Sequence, residues 1–63
     1  MNSKEHARKC RIEETAELLT SMKTSGEEIK KKKIVIVLML KYNVSRKTAV
    51  DYFDVAELKN HHE

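Results

Sequence analysis

Apolar residues recur along this chain at helical rather than strand spacing. Ile12, Thr15, Ala16, Leu19 and Met22 fall three and four positions apart, which puts them on one stripe of a helix and predicts an α-helix over about residues 3–22. Asn2 or Ser3 can cap it, and Glu5, three residues after Asn2, matches a capping box. Gly26 is the only glycine and follows Thr24 and Ser25, so a left-handed helix stop costs least there. Ser25 with Glu28 repeats the capping-box pattern and predicts a second helix over about residues 27–41. Asn43 tolerates left-handed geometry and permits a tight turn. Ser45 then caps a third helix over about residues 45–59, in which Ala49, Tyr52, Phe53 and Ala56 follow the i, i+3, i+4, i+7 order of a packing stripe.

One segment resists this pattern. Ile34-Val35-Ile36-Val37 places four β-branched residues in a row, as a buried strand does. A strand needs pairing partners, and no second β-rich segment exists, so only an intermolecular ribbon, as in a ribbon-helix-helix dimer, would satisfy its edges. That fold puts two helices after its strand, whereas one helical stripe remains here, and the helix is preferred. On a helix, Ile29, Ile36 and Leu40 face one way while Ile34, Val35, Leu38 and Met39 point elsewhere around the same axis. A helix apolar all round is buried all round. Either three short helices close tightly over it, or Ile34, Val35, Leu38 and Met39 lack cover within the chain and pack on a second copy. A homodimer is the expectation.

Composition sharpens the class. The chain has 63 residues, 40% hydrophobic and 37% charged, with one Gly and no Pro. That is too apolar for disorder and too turn-poor for a sandwich or barrel, leaving a single all-α domain. A chain of this size buries only about 60% of its unfolded surface, which again favours a partner subunit. Net charge is +3, but it is segregated. Residues 1–28 sum to −1, residues 29–48 carry seven bases and no acid, and residues 49–63 sum to −3. An uncompensated basic stretch repels itself unless something anionic lies nearby, which points to phosphates or acidic lipid.

The lone Cys10 and the missing apolar signal segment give a cytoplasmic expectation. The longest apolar run, Ile34 to Leu40, is far shorter than the ~20 residues that span a bilayer, so no membrane partner is expected. His6 and Cys10 lie one helical turn apart and His61-His62-Glu63 ends the chain, but no paired-ligand knuckle accompanies them, and no metal is expected. Cys10 sits between Lys9 and Arg11 without a positioned base, oxyanion loop or glycine-rich cradle. Neither an enzyme, a cofactor nor a small-molecule substrate is expected.

The run Leu38-Met39-Leu40-Lys41-Tyr42-Asn43-Val44-Ser45-Arg46-Lys47-Thr48-Ala49-Val50-Asp51-Tyr52-Phe53 resembles the helix-turn-helix DNA-binding unit of small bacterial and archaeal regulators. Asn43 takes the turn position, Val44 plugs the angle between the helices, Ser45 caps, Ala49 permits close packing and Phe53 anchors the far end. The resemblance implies a three-helix helix-turn-helix domain, dimeric, that binds double-stranded DNA as a transcriptional or replication-control regulator. The helix from Ser45 would enter the major groove through Ser45, Arg46, Lys47, Thr48, Val50 and Asp51. Arg46 suits a guanine edge, Val50 a thymine methyl and Asp51 a cytosine amine. The Lys30 to Lys33 run, chiefly Lys30, Lys31 and Lys33, would meet phosphates with Lys41 and Tyr42. No segment follows that could form a wing, and Asp54 and Glu57 limit insertion to the first half of the helix. A protein-interaction module using the apolar second helix, a non-specific nucleic-acid binder and a membrane-surface module remain alternatives.

Overall fold

A computed structural model describes the backbone of residues 3–61 and the side chains of residues 5–60, and there three helices follow one another without a strand: α1 (Ser3–Thr24), α2 (Lys31–Tyr42) and α3 (Arg46–His61). α1 already includes Ser3, so Ser3 is not its cap; Asn2 lies outside the described residues. Gly26 ends α1 at φ 75°. Its N–H donates to the Lys23 carbonyl (3.1 Å) and the Glu27 N–H to the Met22 carbonyl (2.9 Å), the paired bonds of a Schellman stop. Asn43 ends α2 in the same way at φ 53° and ψ 52°, with the Val44 N–H on the Met39 carbonyl at 3.2 Å. Only these two residues take a positive φ among the described ones.

The second helix starts later than the capping-box pattern suggests. The Glu27 N–H closes α1 instead of opening α2, and Lys30 is extended at φ −105° and ψ 107° with no side-chain cap. Residues 27–30 carry the chain from the end of α1 to the start of α2, with Ile29 half-buried against the core on the way. Ser25 and Glu28 therefore form no box.

α3 packs against both other helices, whereas α1 and α2 make no close backbone approach. The α1–α3 pairs advance in step: Arg8 with Asp51, Arg11 with Tyr52, and Ala16 and Thr20 with Asn60. The two helices therefore run parallel, and α2 lies against the other side of α3. The expected stripes form the core, with Ile12, Leu19, Ala49, Tyr52, Phe53 and Ala56 buried. Thr15, the buried polar residue among them, donates its hydroxyl to the Arg11 carbonyl at 2.7 Å, which removes most of the cost of burying it.

The faces of α2 are the reverse of those expected. Ile34, Val35 and Leu38 are buried within the chain and Met39 is half-buried, while Ile36, Val37 and Leu40 are exposed. Of the residues on which the dimer expectation rested, Ile34, Val35 and Leu38 are internal and Met39 is partly so. The cause is α3, which offers α2 a single face to pack on; burying Ile34, Leu38 and Val35 there turns the opposite side of α2 outward. The same burial makes the β-branched run helical, since packing on α3 outweighs local strand preference. With principal extents of 37 × 25 × 14 Å, the molecule is little thicker than one helix with its side chains, about 10–12 Å. Among the described residues no further element covers the outer side of α2.

Two truncations separate the faces. Leu38, 1% exposed, is expected to cost about 2–5 kcal/mol on replacement by Ala, through lost burial and a cavity. Leu40, 80% exposed, is expected to change stability by no more than about 0.5 kcal/mol. Urea unfolding of Leu38→Ala and Leu40→Ala reads the difference, and equal losses would reverse the assignment.

Candidate nucleic-acid interface

The start of α3 is built by its turn. Val44 is half-buried against the core, and the Ser45 Oγ accepts the Thr48 N–H at 3.4 Å while lying 3.2 Å from the Thr48 hydroxyl, the N-cap arrangement expected of serine. Ser45 and Thr48 are thereby engaged with each other. The next two side chains, Arg46 and Lys47, are exposed and make no ion pair among the described residues. Val50 is half-buried against the core rather than outward. Asp51 is exposed, but Arg8 of α1 donates to its carboxylate at 2.6 Å. Of the expected groove residues, Arg46 and Lys47 are the two whose polar ends are unengaged.

The candidate phosphate contacts divide in the same way. Lys31 pairs with Asp54 of α3 at 3.2 Å and lies 5.7 Å from the centre of the Phe53 ring. Lys41 pairs with Glu14 of α1 at 3.2 Å. Tyr42 is half-buried, donates its hydroxyl to the same Glu14 oxygen at 3.2 Å, and meets the Tyr52 ring edge-on at 6.0 Å. The Arg11 guanidinium lies 5.3 Å from the Tyr42 ring centre. These three residues tie helices together. Lys30, Lys32 and Lys33 are exposed and carry no ion pair among the described residues.

Lys32 and Arg46 line one cavity of about 190 Å³ with Val35, Ile36 and Met39. The second residue of α2 and the first of α3 therefore share one surface, and neither helix has an acid in its first turn. Helix N-termini already carry partial positive charge and favour acidic side chains, so this placement of cations is unfavourable without an anion nearby. The Lys32–Arg46 partnership has no local sequence signal, because the crossing of α2 over α3 makes it; neither has Arg8, which neutralises an acid on the outer side of α3. Elsewhere, the His6 Nε2 and Cys10 Sγ lie 3.7 Å apart, and no group of three or more metal-type ligands forms among the described residues. His62 and Glu63 lie outside the described residues.

Lys41 and Tyr42, which share the Glu14 carboxylate, titrate in the alkaline range. The hydrogen bond to Glu14 raises the Lys41 pKa, and burial, then the Glu14 charge, raises that of Tyr42. In both groups the fold favours the protonated form. Their contribution is thus present below the ordinary values of about 10 and lost as pH rises through the raised ones. Thermal unfolding is expected to show Tm falling above about pH 10, less steeply in Tyr42→Phe; identical slopes would exclude Tyr42 from the effect.

No protein-family model matches this chain, and no curated protein or solved structure matches it.

Proposed function

We propose that this chain binds double-stranded DNA as a small helix-turn-helix regulator, with the first turn of α3 in the major groove. The observation that carries this is the pair Arg46 and Lys47, exposed and without an ion pair among the described residues, directly after a capped left-handed turn. Lys32 shares the Arg46 surface, and Lys30 and Lys33 extend the basic region for phosphate contact. Asp51 and Asp54 do not oppose this approach, because Arg8 and Lys31 pair with them. Arg46 reads a base edge through its planar fork, and Lys47 holds phosphate or base. Lys31, Lys41 and Tyr42 support the site by holding the helices. With Ile34, Val35 and Leu38 internal, the expected homodimer loses its ground on that face, and one chain engages one site. A second copy enters only where the DNA repeats that site. Among the described residues no helix is long and apolar enough to cross a membrane.

A band-shift titration against genomic fragments, with excess non-specific competitor, tests the proposal. Wild-type protein is expected to select particular fragments. Arg46→Ala and Lys47→Ala are expected to lose discrimination while staying folded, at about 1–3 kcal/mol for removal of a bidentate bond to a base. Variants that match wild type on target and random DNA would remove the groove assignment. Replacing Lys30, Lys32 and Lys33 by Ala is expected to weaken binding to all sequences alike and to flatten the salt dependence by about 0.9 log units for each phosphate no longer neutralised. An unchanged salt slope would place the phosphate surface elsewhere.

A further inference from the structure

The outer face of α2 carries three aliphatic side chains that nothing among the described residues covers: Ile36 is 53% exposed, Val37 49% and Leu40 80%. At about 100° per residue they fall within one side of the helix, with Lys33 among them and Lys32 beside Ile36. Ile36 also walls the cavity of about 190 Å³ whose remaining lining is Lys32, Val35, Met39 and Arg46. A convex aliphatic ridge thus borders an apolar hollow with two cations at its rim. Lys32, Lys33 and Arg46 make no ion pair among the described residues.

We propose that this face docks an acidic amphipathic helix of another protein. One apolar side chain of that helix enters the cavity, and carboxylates beside it meet Lys32, Lys33 and Arg46. Charge complementarity selects this occupant. Lys32, Lys33 and Arg46 lie at this face without an ion pair among the described residues, so a second copy placed face to face would oppose like charges. DNA at these cations would leave Ile36 and Leu40 in water, so DNA and the docking helix are alternative ligands of Lys32, Lys33 and Arg46. A lipid surface would take up the ridge, yet a hollow of side-chain size is filled by the anchoring knob of a folded partner. The hollow is also smaller than the roughly 300–1,000 Å³ of small-molecule pockets. None of this depends on DNA binding, and the test contains no DNA.

The probe is a fluorescein-labelled synthetic peptide of about four helical turns, with leucines at i, i+3 and i+7 flanked by glutamates. A twin peptide carries lysine at every glutamate position. The expected result is a rise in anisotropy with the glutamate peptide alone, with amide shift changes in the 63-residue chain confined to residues 32–40 and 46. Ile36→Ser combined with Leu40→Ser is expected to weaken binding at least about tenfold with the fold intact, since both residues are exposed. Leu58→Ser, on exposed α3 surface, is expected to bind as wild type. Lys32→Glu combined with Arg46→Glu is expected to reverse the preference toward the lysine peptide. Equal binding of the two peptides, shift changes centred elsewhere, or no binding at millimolar peptide would overturn the proposal. So would a dimer in sedimentation equilibrium that Leu40→Ser dissolves, or binding to phosphatidylglycerol vesicles without binding to the peptide.

Discussion

The fold depends on α3 being covered from two sides at once. Ala49 and Ala56 have no exposed surface and Tyr52 and Phe53 almost none, although α3 touches α1 and α2 along different flanks and those two helices make no close backbone approach to each other. Alanine at two positions of the stripe lets a neighbouring helix come close, and the aromatic residues fill the space the alanines leave. Neither outer helix has a core without α3. In a chain whose total stability is expected at about 3–9 kcal/mol from its length, the loss of one well-packed side chain at this seam is a large fraction of what holds the molecule together.

Charge is arranged around the same seam. Each ion pair present among the described residues joins two helices: Arg8 and Lys59 tie α1 and α3, Lys31 ties α2 to α3, and Lys41 ties α2 to α1. Exposed pairs of this kind contribute little each, about 0.2–1 kcal/mol, and their larger effect is on what remains. They take Lys31, Lys41, Asp51 and Asp54 out of the uncompensated set, leaving Lys30, Lys32, Lys33, Arg46 and Lys47 gathered around the first turns of α2 and α3. Repulsion among these cations is tolerated because they are exposed and hydrated. The same repulsion makes an anionic ligand favourable at this edge, whether the phosphates we propose or the carboxylates of a docking helix.

The resulting surface is asymmetric. α2 divides it, with an aliphatic ridge on its outer side and cations at its first turn. A ligand that meets only the cations leaves the ridge wet, and one that meets only the ridge leaves the cations unpaired. The hollow between α2 and Arg46 joins the two regions and separates a partner with both chemistries from one with charge alone.

Much of this was written in local pattern. The three helices, the left-handed stops at Gly26 and Asn43, the Ser45 cap and the stripes of α1 and α3 all follow from spacing and from what single residues tolerate in their own backbone, so the sequence by itself determined them. Tertiary structure decided the rest. Residues 34–40 are apolar on every side, so periodicity held no information about which side α3 would cover; only the packing put Ile34, Val35 and Leu38 inside and Ile36, Val37 and Leu40 outside. Likewise the Lys30 to Lys33 run showed a basic region but not its division, because Asp54 reaches Lys31 only once α2 lies across α3. Local conformation is encoded by neighbours a turn apart, whereas the choice of face and of charge partner belongs to helices distant in sequence, and forms only when they meet.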